Sequence, residues 1–249
     1  MRPILQRKSC MKFLKFYLLI AVLLFGGPCH LLAQTKVIDS LLNALNSTTL
    51  TTEQQYNIQF KLAILYTENE PPKALPFLEQ ALANARKMKV DPLIGFVYQQ
   101  RANYDEKAGH FDEALENITT ALKYTDNSYE GNKLFIYSYT GKGSVLRRQS
   151  KYEEALKALL MASSKADEMK NDTLLYSTLT QLGILSVTMK NLDRAKEYHT
   201  QAIEIAKRLK NNRKISKSYG NIGIIYREQE KYKEGIEYNE KALEYANLS

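Results

Sequence analysis

Cysteine is nearly absent from this 249-residue chain. The two that occur, Cys10 and Cys29, both lie before residue 34. The rest of the chain has neither a disulfide nor thiol chemistry, and its core must hold it together. Histidine is scarce too: beyond residue 33 only His110 and His199 remain. No His-Glu-x-x-His, Gly-rich phosphate loop, Gly-x-Ser-x-Gly or paired-cysteine spacing occurs. Catalytic, cofactor-binding and metal-ligating residues are therefore expected to be none. His110 stands beside Gly109 in a turn and reads as solvated. His199 falls in a helix slot and reads as a packing residue. Alternating strand patterns, low-complexity runs and flexible linkers are missing as well. An excess of one charge is also lacking over most of the chain. The formal +8 of the whole sequence falls to +3 over residues 34–249, with 30 basic against 27 acidic residues. A surface this mixed gives no electrostatic basis for binding nucleic acid.

What is present begins with a polarised leader. Arg2, Arg7, Lys8, Lys12 and Lys15 precede an apolar run from Phe16 to Phe25, and no acid occurs before Asp39. Gly26-Gly27-Pro28 and then Leu31-Leu32-Ala33-Gln34 follow. Basic, apolar and small-residue segments in that order predict a secretory signal peptide over 1–33, cleaved after Ala33. Met11 is an alternative start. The apolar run is too short to span a bilayer, which needs about 20 residues, so the mature chain is expected to carry no membrane span. Pro28 argues against lipidation of Cys29. The expectation is an exported protein, periplasmic or extracellular. Asn46, Asn117 and Asn171 open glycosylation triplets, which chance alone supplies often.

The remainder is organised by small residues. Ala74 pairs with Ala81, Ala114 with Ala121, Ala155 with Ala162, Ala195 with Ala202, and Gly235 with Ala242. The leading members recur about every 40 residues, a spacing typical of stacked repeats. Residues seven apart share one helix face, and small ones there let a second helix approach closely. A second series lies about twelve residues earlier: Ala63, Ala102, Gly143, Gly183 and Gly223. Phe111, Tyr152, Leu192 and Tyr232 fall three before four of the leading members. Each unit then reads as helix, turn, helix.

Start signals agree. Thr51 to Gln54 offers a capping box. Pro71-Pro72 reads as the start of the second helix of its unit. Asp91-Pro92 predicts a cap followed by proline. Asn171-Asp172-Thr173 caps the fourth unit, and Asn211-Asn212 breaks into the fifth. A short amphipathic helix over Val37 to Leu45 leads the array. Five units follow at about 52–89, 91–126, 128–170, 172–210 and 212–249. Leu243, Tyr245 and Leu248 are expected to face solvent or a continuation of the stack.

These units resemble the tetratricopeptide repeat, in a variant about six residues longer than the 34-residue form. The best match is Lys217 to Asn247, with Ile222-Gly223, Tyr226, Tyr232, Gly235 and Ala242. Ala195, His199 and Ala202 fit the longer variant's spacing. The resemblance implies an all-α, right-handed α-solenoid spanning residues 34–249, whose first helices line a concave groove. It also implies a non-catalytic scaffold that binds a peptide or protein partner there. By repeat position the groove candidates are Asn57, Phe60, Ile64, Gln99, Asn103, Glu106, Thr140, Ser144, Arg147, Arg148, Thr180, Ile184, Val187, Lys217, Gly220, Ile224 and Arg227. The middle of the groove, from Gln99 to Arg148, is expected to dominate. Arg147-Arg148 is the only adjacent arginine pair after the leader and predicts an acidic or carboxylate-bearing ligand. A second reading is the extracytoplasmic input segment of a longer sensor kinase or regulator. Ile38 to Leu42 after a signal peptide resembles the start of such sensors in bacteria of the Bacteroidetes kind.

Overall fold

The computed structural model describes residues 28–47 and 49–249, with side chains from Thr35 onward. The basic leader and the Phe16 to Phe25 run lie outside the described residues. Eleven α-helices and no strand occur among those described. A leading helix α1 (Pro28–Leu45) precedes five antiparallel pairs. The pairs are α2 (Thr52–Asn69) with α3 (Ala74–Met88), and α4 (Asp91–Ala108) with α5 (Phe111–Leu122). Then come α6 (Tyr129–Arg148) with α7 (Tyr152–Glu168), and α8 (Asp172–Thr188) with α9 (Leu192–Arg208). The last pair is α10 (Asn212–Glu228) with α11 (Tyr232–Asn247). Each helix packs on its partner within the pair and on the next pair, and the first helices of units one to four also touch in succession. The chain is thus an all-α solenoid stabilised by neighbour contacts.

The small residues mark the crossings. Ala63, Ala74, Ala81, Ala114, Ala121, Ala155, Ala162, Ala195 and Ala202 are all fully buried. In units three to five the first helix carries glycine, and the facing residue sixteen positions later explains why. A Cβ on Gly143 would stand 2.5 Å from Leu159 Cγ. On Gly183 it would stand 2.5 Å from His199 Nε2, and on Gly223 2.4 Å from Asn239 Oδ1. A methyl group does not fit in such a gap.

The caps follow the side chains. Thr51 Oγ1 accepts from the Gln54 amide at 3.2 Å, and Gln54 Oε1 accepts from the Thr51 amide at 2.9 Å, completing the capping box. Asn171, Asn191 and Asn211 accept from the amides three residues on. Three local expectations shift. The leading helix begins at Pro28 rather than Val37, and so runs through Ala33. Pro71-Pro72 forms a separate 3₁₀ turn, and α3 begins at Ala74. Asp91 is the first residue of α4 and Val90 its cap, because the Val90 carbonyl already accepts from Leu93 and Ile94. Asp91 then stabilises the helix end through the dipole.

Most helices end in a left-handed residue. Only one of these is glycine, Gly109 at φ 83°. Lys89, Ser150, Lys170, Lys190, Lys210 and Glu230 adopt φ of 50–61° without one. From Lys151 onward the amide after each left-handed residue closes back on a carbonyl five residues earlier, as Asn171 does on Ala166 at 3.0 Å.

The core changes character along the stack. Units one and two bury the carboxamides Gln59, Asn84, Gln99 and Gln100 and the carboxylate Asp105. Units three to five bury no carboxamide but hold the largest apolar cluster, around Leu159, Leu179, Leu182, Leu185, Ile203 and Ile222. Buried Thr178, Thr180 and Ser186 return their hydroxyls to their own helix, Ser186 to the Leu182 carbonyl at 2.8 Å, whereas Ser218 reaches Tyr176 Oη of the preceding unit at 3.3 Å.

Candidate functional site

The first helices of units one to three, α2, α4 and α6, together form a groove of about 420 Å³. Its apolar wall is Phe60, Ile64, Leu93, Phe96 and Tyr137. The rings are mutually arranged: Tyr56 stacks on Phe60 at 5.5 Å, and Phe96 meets Tyr137 edge-on at 6.1 Å. Ile64 is 39% exposed and Tyr137 42%, high values for large apolar residues. Tyr56 closes the floor, its hydroxyl donating to the Leu93 carbonyl at 3.3 Å. Burial, with Glu130 adding to it, pushes that phenol well above its ordinary range.

The polar floor is a relay of amides. Gln99 Nε2 donates to Asn103 Oδ1 at 3.1 Å, and Asn103 Nδ2 donates to Gln100 Oε1 at 3.0 Å. Gln100 Nε2 donates to Thr67 Oγ1 at 3.1 Å, and the Thr67 hydroxyl donates to the Ala63 carbonyl at 2.8 Å. Every step runs the same way, so the head of the relay, Gln99 Oε1, accepts nothing. It is buried and has no partner, although Gln99 is only 6% exposed. A buried acceptor left unpaired costs about 1–3 kcal/mol. Gly141 of α6 leaves room for this amide: a Cβ there would lie 2.7 Å from Gln99 Nε2. The only charged residues in the lining, Glu130 and Lys133, pair with each other at 2.9 Å and so leave the groove without net charge.

Of the residues expected to line a groove, Asn57, Phe60, Ile64, Gln99 and Asn103 come together here. The others do not join them. Ser144 donates to Glu106 Oε1 at 2.6 Å, and Arg148 donates to the Glu106 carbonyl at 2.8 Å. These three residues tie unit three to unit two. Arg148 also lies 5.7 Å over the Phe111 ring, whereas Arg147 is half-buried with its Nε unpartnered. The two arginines therefore do not form one carboxylate fork. Thr140 returns its hydroxyl to the Ile136 carbonyl. Thr180 is buried, 4% exposed, and donates to the Tyr176 carbonyl at 2.9 Å, so it presents nothing to a ligand. Arg227 is exposed in the last turn of α10, two units away from the groove. Phe96 and Tyr137 were not expected as lining residues. They occupy the repeat slot of Asn57 and Lys217, and reading that slot through every unit would have found them.

A wider, shallower depression of about 590 Å³ lies between α7, α8 and α9, with Leu160, Leu175, Leu179 and Ile205 in its lining. It contains no buried polar atom lacking a partner among the described residues. His110 is exposed at the start of α5, while His199 is 1% exposed inside unit four. Among the described residues no cluster of three or more His, Cys, Asp or Glu is placed to hold a metal, and no helix is long and apolar enough to cross a membrane.

No curated protein matches this sequence. Solved structures share the fold at low identity. The crystal structure of BtubC (BKLC) from P. vanneervenii superimposes with a TM-score of 0.64 at 18% identity, over 87% of this chain and 89% of that one. Aspartyl phosphate phosphatase F from Bacillus subtilis gives 0.65 at 15% identity, over 78% of this chain but 52% of its own, so this chain spans about half of that protein. A putative kinesin light chain with TPR-like repeats from Podosopora anserina gives 0.57 at 16% identity, over 76% and 93%. At the sequence level, residues 174–247 match the tetratricopeptide repeat family. That stretch falls within the fourth and fifth helix pairs, which are therefore similar to tetratricopeptide repeats, in a solenoid whose other pairs share the helix-turn-helix architecture.

Proposed function

We propose that this chain is a non-catalytic protein-interaction scaffold that holds a peptide segment of its partner in the groove across α2, α4 and α6. The observation that carries this reading is the groove itself, with partly exposed rings around a buried polar floor. Concave, mostly apolar clefts with a few fixed polar groups are where ligands bind. The match of residues 174–247 to the tetratricopeptide repeat family supports the class. The basic and apolar leader supports export, which places the partner outside the cytoplasm.

Site-directed photo-crosslinking in the native cell tests the reading. A photoreactive residue at Tyr137 should capture partner protein, and one at Leu160 on the wider depression should not. Capture at Leu160 alone would move the site to the other surface.

A further inference from the structure

We infer that the groove takes an uncharged, extended peptide that inserts a bulky apolar side chain and donates one N–H to Gln99 Oε1. The inference rests on the groove being the binding site and adds the chemistry of its occupant.

Charge excludes the alternative occupant first. Lys133 Nζ sits 3.0 and 2.9 Å from the two carboxylate oxygens of Glu130. It also lies 5.9 Å from the Phe96 ring centroid. An acidic peptide would have to break that pair to gain a cation. The arginine pair that would favour such a ligand is divided, with Arg148 bound to Glu106. The complementary partner is therefore neutral.

The amide relay then fixes the polarity of the contact. Each nitrogen of the relay donates to the next member, and the one polar atom in it with no partner is an acceptor. Exchanging the oxygen and nitrogen of Gln99 would not remove it. With Asn103 Nδ2 committed to Gln100, a reversed Gln99 would set its oxygen against Asn103 Oδ1, two acceptors with no hydrogen between them, where 3.1 Å now separates donor from acceptor. Gln99 is more than nine-tenths buried, its amide filling the space that Gly141 leaves free on α6. Gln99 lines the groove, so a donor entering there is placed to supply the missing hydrogen. An extended peptide carries a free N–H at every second residue along each edge. Phe60, Phe96 and Tyr137, beside the relay, offer the apolar seat for the adjoining side chain. Aromatic surfaces of this kind supply most of the energy in small interfaces.

Selection from a displayed library of random 12-residue peptides against the full chain tests this. Selected sequences should be rich in aromatic and aliphatic residues, without net charge, and bind with little dependence on salt. A single backbone N-methylation in such a peptide should weaken binding about tenfold, roughly 1.4 kcal/mol. That loss should vanish in Gln99→Met, which keeps the side-chain length and removes the acceptor. Tyr137→Ala should weaken every selected peptide. Sensitivity to Tyr137→Ala with no position-specific N-methyl effect would overturn the hydrogen-bond inference while leaving the groove as the site. Selection of acidic, salt-sensitive peptides would overturn the uncharged occupant, and binding indifferent to both changes would overturn the groove as well.

Discussion

The most exacting prediction concerns acid. His199 is 1% exposed, with its ring against Gly183 and Asn221 Nδ2 3.5 Å from its Nδ1. Burial, reinforced by the nearby Lys217, lowers its pKa from 6.5 to about 4. The unfolded chain therefore takes up this proton as pH falls through 6.5, and the folded chain only below about 4. Between those values the unfolded state binds more protons, so stability falls as pH falls and the loss is complete near pH 4. At about 1.4 kcal/mol per pH unit the gap is worth about 3 kcal/mol. The repeat supplies its own control. Leu159 occupies the same slot in unit three, facing Gly143 as His199 faces Gly183, so His199→Leu should fold. Chemical denaturation followed by far-UV circular dichroism at pH 7.5, 6, 5 and 4 gives the comparison. The stability of the wild type relative to His199→Leu should drop by about 3 kcal/mol across that series, carboxylate titrations cancelling between the two. A flat difference would refute the claim that the imidazole stays neutral and buried.

Other perturbations test the stacking directly. Ala155→Leu, at a fully buried crossing, should cost about 1–3 kcal/mol through overpacking, read from the same denaturation curves; tolerance would mean the crossing lies elsewhere. Lys170→Gly and Lys210→Gly should each leave stability unchanged or raise it, by up to about 1 kcal/mol. Glycine relieves the left-handed backbone at φ 52° and 50°, although it also loosens the unfolded chain. Mass spectrometry of the native N-terminus should find the protein beginning at Gln34; retention of Phe16 to Phe25 would instead indicate an anchored form.

The array was legible because small residues at crossings leave a sequence trace that packing cannot disguise. The buried alanines and glycines of both small-residue series stand where the periodicity put them, and the capping box stands where Thr51 to Gln54 announced it. The helix ends were less legible. Glycine marks only Gly109, and elsewhere lysine, serine and glutamate are held in the same backbone state by the stack around them. The groove was half legible. Repeat position identifies which helix face turns inward, and Gln99, Asn103, Phe60 and Ile64 follow from it. It does not say what the neighbouring unit offers that face. Thr180 closes on its own helix, and Arg148 is drawn to a carbonyl of the preceding unit. Those outcomes depend on side-chain direction and on contacts some 40 residues away, which a single repeat does not record.

The change of core along the stack also has a thermal consequence. Exposing apolar surface raises heat capacity and exposing polar surface lowers it. The hydrocarbon-rich units three to five should therefore have a strongly curved stability profile, and the amide-floored units one and two a flatter one. Because the coupling is only between neighbours, the two halves need not share one temperature of greatest stability. Chilling weakens the apolar half faster, so units one and two, which supply two of the groove's three helices, keep their order best in the cold.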